Sequence, residues 1–137
     1  MNRSFGAPCE AATAADRVYA GFWTDKGCCD EKSREFLGSL RDTELFLFGT
    51  AGFCVDSTYF DKVLSRVKAL LHPSVRCLGG YMCQGKMPPS VRERYEKIKE
   101  SPSAPPTIDM MIGNFDMALS HPDEKDIQGL IDALKHL

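Results

Sequence analysis

The sequence predicts an α/β protein: an open parallel sheet with helices on both faces, in three layers. Two observations carry this. Residues 17–22, 44–48 and 75–81 form apolar runs that are nearly continuous rather than alternating, as in strands covered on both sides. These runs are separated by stretches of helical period, the order expected when helical crossovers join parallel strands. The chain has 137 residues, 43% hydrophobic and 26% charged, which suits one ordinary globular domain.

Residues 1–15 are small and polar-leaning, and an irregular segment or weak helix is expected there. "RVYAGF", Arg17–Phe22, reads as a buried strand that ends in the loop "WTDKG". Asp30 to Leu40 reads as a helix, with Asp30 as its cap and Phe36, Leu37 and Leu40 on one face. "ELFLF", Glu44–Phe48, is the second strand and ends in "GTAGF". Phe60, Val63, Leu64, Val67 and Leu71 then mark an amphipathic helix over Ser57–Leu71. Asp56 or Ser57 is its expected cap, and His72-Pro73 stops it.

"VRCLGGY", Val75–Tyr81, is the third strand. Pro88-Pro89-Ser90 introduces a polar helix over Val91–Lys99, and the prolines of "SPSAPPT" impose a loop. Asp109–Leu119 shows no clear period and is read as a short strand-like piece and a turn. The chain closes on a helix capped by Ser120 or His121, with Ile127, Leu130, Ile131 and Leu134 as its buried stripe.

Composition limits the function classes. A net charge of -2 without a basic run offers no footprint for nucleic acid. No stretch approaches the ~18 apolar residues of a membrane span. The N-terminus lacks the apolar core of a signal peptide, so a cytoplasmic location is expected. The six cysteines are scattered, without a C-x-x-C or a histidine at zinc-ligand spacing, and are expected to be reduced thiols without a metal. Cys28-Cys29 is vicinal and lies near a helix start, a place that can lower a thiol pKa; a plain structural role is the simpler reading. No Ser-His-Asp arrangement is visible, and no catalytic residue is assigned.

Ligands of open parallel sheets bind beyond the carboxyl ends of the strands. Three glycine-containing loops, each with an aromatic residue, fall there. They are Trp23-Thr24-Asp25-Lys26-Gly27, Gly49-Thr50-Ala51-Gly52-Phe53 and Tyr81-Met82-Cys83-Gln84-Gly85-Lys86. Such loops let a flat ligand approach the backbone. Trp23, the single tryptophan, suits stacking on a planar ring or capping of the core edge. Gly80 to Lys86 also matches the first seven positions of a phosphate-binding loop, G-x-x-x-x-G-K. Met87 cannot supply the magnesium hydroxyl, and Pro88-Pro89 prevents the immediate helix start that would hold phosphates.

"GFWTDKG", "LFGTAG", "GGYMCQGKM-P-VRERYE" and "NFDMALSHPDEKDI", in this order, resemble a group of short bacterial flavodoxin-like proteins, some encoded beside bilirubin reductase. The resemblance spans residues 16–137 and implies a flavodoxin-like α/β domain that binds flavin mononucleotide (FMN) and transfers electrons. It implies an electron carrier or reductase accessory more than a stand-alone enzyme, with a flavin-dependent reductase as redox partner. By position, it assigns the flavin to Trp23, Thr24, Asp25, Lys26 and Gly27, to Thr50, Ala51, Gly52 and Phe53, and to Tyr81, Met82, Cys83, Gln84 and Gly85.

One departure is large. Flavodoxins open with a strand, a Ser/Thr-rich turn that grips the flavin phosphate, and a helix; nothing before residue 16 resembles that unit. The sequence therefore predicts an N-terminally truncated flavodoxin-like domain with three core parallel strands. "RVYAGF" is then an unpaired edge. Truncation is the favoured account; the others are pairing of that edge with a second copy or with residues 1–12, or a partner that supplies the missing half. The alternative function is a cofactor-free interaction module that dimerises or docks on a reductase.

Overall fold

A computed structural model describes residues 3–53 and 56–137. A 3₁₀ turn, Glu10–Ala14, precedes β1, Arg17–Asp25. There follow β2 (Cys28–Cys29), α1 (Glu31–Ser39), β3 (Glu44–Ala51) and α2 (Ser57–Lys68). β4 (Arg76–Gln84), α3 (Pro89–Glu100), α4 (Ile108–Ala118) and α5 (Glu124–Leu134) complete the order. The sheet runs β2-β1-β3-β4. β1, β3 and β4 are parallel, and β2 is a two-residue antiparallel strand on the outer side of β1. The architecture is thus an open, mostly parallel α/β sheet. Among the described residues, no helix is long and apolar enough to cross a membrane.

The main core lies on one face. Val18, Leu45 and Leu47 meet Leu37 and Leu40 from α1 and its end, and Val63 and Val67 from α2. Leu37, Leu40, Leu45, Leu47, Val63 and Val67 are completely buried. Alternation along a strand sends the intervening residues to the other face. There Tyr81 meets α5: its hydroxyl donates to Asp126 O at 2.8 Å, and Gly129 lies against its ring. Helices therefore flank both faces, but α5 reaches β4 and leaves the side over β1 open, with Tyr19 and Trp23 51% and 58% exposed.

A bulge sets which residues of β4 share that open face. Leu45 pairs with Cys77 but Phe46 pairs with Gly79, so Leu78 is an extra residue. Beyond it Phe48 pairs with Tyr81 and Thr50 with Cys83. Without the extra residue, Tyr81 and Cys83 would turn to the opposite face.

The structure departs from the sequence-based expectations in five places. The expected buried stripe of α5 is partly open: Ile127 and Ile131 are exposed, and Leu130 and Leu134 are half-buried. The strands run further than their apolar stretches: Trp23 pairs with Thr50, and the Thr24 hydroxyl donates to Thr50 O at 2.8 Å, so polar residues continue the ladder. Much of each expected loop is consequently strand. Cys28 and Cys29 form β2, too short to give a pattern. Asp109–Leu119 is mostly helix α4, which buries Ile108, Phe115 and Ala118 in a helical series that Gly113 and Asn114 obscure. The cap of α5 is Asp123, in a reciprocal capping box with Asp126, rather than Ser120 or His121. The expected caps Asp30 and Asp56 are observed, each accepting from backbone N–H groups of its helix.

Helices α3 and α4 form a hairpin beside the carboxyl end of the sheet. Arg92 holds Asp116 through two bonds, at 2.9 and 3.0 Å, and also pairs with Glu96. Lys99 reaches Asp109 at 2.8 Å.

Candidate functional site

Over the carboxyl-terminal halves of β1, β3 and β4, on the face that α5 only partly covers, lies a cavity of about 540 Å³. Its floor is two rows of paired residues: Gly21, Phe48 and Tyr81, then Trp23, Thr50 and Cys83. Pro122, Ile127 and Leu130 wall it on the α5 side, and Pro8 and the start of α1 wall it on the other. The floor glycine matters: a Cβ on Gly21 would stand 2.7 Å from the Phe48 ring. The missing side chain lets that ring lie beside β1.

Five residues of the three expected loops meet at this cavity: Trp23, Gly49, Thr50, Tyr81 and Cys83. The others are used elsewhere. Thr24 bonds the Thr50 carbonyl, and Asp25 pairs with Cys28. Lys26 and Gly27 form the turn into β2 with positive φ, and Arg66 donates to Gly27 O at 3.0 Å. Ala51 and Met82 are buried in the main core. Gly52 packs against Met87, and its carbonyl accepts from Gln84 at 3.2 Å and Asn114 at 2.9 Å. Phe53 stands edge-on to Tyr59, and Gly85 lies against Thr50. The second loop is thus held by α4 and by the segment after β4.

Sequence reasoning missed Phe48, Gly21 and the α5 wall. Phe48 alternates with Leu47 and faces the cavity, but the continuous run "ELFLF" hides which side each residue takes. The involvement of Ile127 and Leu130 follows from the docking of α5, for which no local signal exists.

The lining is mostly apolar, and its ionisable groups are bound up in helix starts. Asp30 accepts from Ser33 N–H at 3.2 Å and from Ser33 Oγ at 2.8 Å. Asp126 accepts from Asp123 N–H at 2.9 Å and bonds His121 Nδ1 at 2.6 Å. Burial alone would raise the Asp126 pKa, but hydrogen bonds from His121 and the Asp123 backbone outweigh it and the pKa falls. His121 is correspondingly raised, chiefly by its bond to Asp126. The ligand atoms of His121, Asp123 and Asp126 lie within 4.8 Å of one another. Both carboxylates are engaged by the capping box, so the cluster serves as a helix cap.

Cys83 and Cys29 are buried thiols held well above the range of a ready nucleophile. Burial, then Asp126, pushes Cys83 up to about 11. Burial and the neighbouring Cys28 push Cys29 up to about 11, so the helix start does not activate this thiol. Cys54 lies outside the described residues.

A flavodoxin domain family matches residues 6–135. The flavodoxin-like domain-containing protein BilS of Clostridium symbiosum is 39% identical over 130 residues, covering 88% of this chain and 68% of that protein. The protein of the same name from Clostridioides difficile is 32% identical over 113 residues, covering 82% of this chain and 64% of that protein. The chain therefore spans about two thirds of the length of these relatives.

Proposed function

The chain belongs to the flavodoxin domain family, and on that premise we propose that it binds a flavin and serves as an electron carrier or as the accessory of a flavin-dependent reductase. The supporting observation is the cavity over the carboxyl ends of the parallel strands, where four aromatic residues, Phe22, Trp23, Phe48 and Tyr81, line a space of about 540 Å³. Ligands of open α/β sheets bind near those strand ends. The volume and apolar lining suit a flat heteroaromatic ring. A bound flavin supplies reversible uptake and release of electrons. The residues of this chain orient it: Trp23 and Tyr81 present ring faces or edges, Thr50 and Cys83 fix the floor, and the α5 wall excludes water.

The ring and the phosphate of FMN do not fit equally well. Among the described residues lining the cavity, Lys32 is the single cation, and no Ser/Thr-rich turn approaches it.

Titration of the purified chain with FMN and riboflavin, followed by Trp23 fluorescence and the flavin spectrum, tests the reading. Binding quenches Trp23 and perturbs the flavin absorbance. Trp23→Ala should weaken flavin binding about tenfold, from lost stacking and contact area. Absence of any bound flavin up to the high micromolar range would refute the proposal.

A second reading, a cofactor-free interaction module, is favoured by β1. Trp23 bonds outward, its N–H and C=O both meeting Asp30. By alternation the backbone groups of Tyr19 and Gly21 also face away from β3. Among the described residues, β2 is the sole strand on that side and reaches only Thr24 and Asp25. An edge of this kind can pair with a second copy or a partner strand. Under this reading flavin does not bind and the chain forms a stable dimer or complex.

A further inference from the structure

We infer that the cavity holds a flavin by its ring and selects against its phosphate, so that riboflavin binds more tightly than FMN. The inference rests on the flavin reading above and specifies its ligand.

Anions at α/β sites are ordinarily held at helix N-termini, by free backbone N–H groups and the positive end of the helix dipole. Two helices start at this cavity, and each start is capped by a carboxylate of the chain that takes an N–H of its first turn. At α1, Asp30 takes the Ser33 N–H and hydroxyl, and its other contact is the Trp23 N–H at 3.4 Å. Asp30 is 8% exposed, so it is fixed in place rather than free to swing aside. At α5, Asp123 takes the Asp126 N–H at 2.9 Å, and Asp126 takes the Asp123 N–H at 2.9 Å. A phosphate entering here meets the negative charge of carboxylates at both helix starts.

The remaining lining cannot reverse that balance. The Ser33 hydroxyl is donated to Asp30. Lys32 is exposed, and a solvated lysine offsets little of the repulsion. A phosphate would lose hydration without gaining comparable hydrogen bonds. The flavin ring is uncharged, and Trp23, Phe48, Tyr81, Ile127 and Leu130 offer it apolar surface without that cost.

Separate titrations with riboflavin and FMN, at low and high salt, decide the matter. Trp23, the only tryptophan, reports both. Riboflavin should bind about threefold to tenfold more tightly at low salt, the range expected for partly screened like charges. High salt should narrow the gap by strengthening FMN binding alone. Asp30→Asn preserves a good cap and should improve FMN binding more than riboflavin binding, narrowing the gap between them; Asp126→Asn should act in the same direction. FMN binding equal to or tighter than riboflavin at low salt overturns the inference while the flavin reading stands. Failure of both flavins to bind overturns both.

Discussion

Gly21 and Phe48 pair across β1 and β3, and together they decide the depth of the cavity floor. A Cβ at position 21 would come within 2.7 Å of Phe48 Cε2. Gly21→Ala should therefore push the ring into the cavity and destabilise the fold by about 1–3 kcal/mol, read as a lower urea midpoint. Its weaker flavin quenching would separate a changed site from a merely weakened fold. The thiols make a second residue-scale prediction. Cys83 and Cys29 are buried and pushed up to about 11, whereas Cys9 is exposed. Alkylation of the native protein near pH 7.5, followed by mass spectrometry, should modify Cys9 well before Cys83 or Cys29. Early labelling of Cys83 would contradict its burial. These features were only partly visible in the sequence: Cys83 could be named, but Gly21 and the neighbours of both could not, because strand pairing and the bulge at Leu78 create those contacts.

At the scale of elements, α5 is the wall most open to perturbation. Two polar attachments hold its start: the Tyr81 hydroxyl on the Asp126 carbonyl, and His121 on the Asp126 carboxylate. Tyr81→Phe keeps the ring and removes the first, at a cost of about 1 kcal/mol, measurable by chemical denaturation. The second is pH-dependent. His121 is raised above its ordinary 6.5, so its contribution is complete below 6.5 and is lost as pH rises through the raised value. Asp126 is lowered below its ordinary 3.8, so its contribution is complete above 3.8 and is lost as pH falls through the lowered value. Both contributions are complete between 3.8 and 6.5. Hydrogen exchange of the first turn of α5 should quicken above that window, beyond the intrinsic pH effect, and His121→Ala should remove the difference. The sequence placed α5, but the stripe it expected to be buried is partly open, with Ile127 and Ile131 exposed. It misplaced the cap, because Ser120, His121 and Asp123 are all plausible capping positions until the chain path after Leu119 is known.

For the molecule as a whole, the consequential feature is a sheet covered unequally. One face is closed by α1 and α2; the other has α5 over β4 and open surface over β1, where Tyr19 and Trp23 are more than half exposed. The outward backbone groups of Tyr19 and Gly21 lie along the same side. Under the interaction-module reading, light scattering should show a concentration-dependent dimer, and the Tyr19 and Gly21 amides should gain exchange protection as it forms. A Tyr19→Lys substitution should favour the monomer, because a charge opposes edge pairing. A monomer at every concentration, with those amides exchanging freely, would remove self-pairing as the use of this edge.

The sequence alone determined the parallel strand order, the helices α1, α2 and α5, two of the helix caps and the kinship of the loops. These follow from local patterns: continuous apolar runs, a period near 3.6, and short motifs in a fixed order. Tertiary structure alone decided that Trp23, Thr50, Tyr81 and Cys83 share one cavity while Gly52, Phe53 and Gln84 turn away from it. It also decided that the start of α5 beside the cavity is capped by Asp123. Those outcomes depend on strand register, on one extra residue in β4 and on where α5 docks. Such contacts join residues far apart in the chain, and no local pattern encodes them.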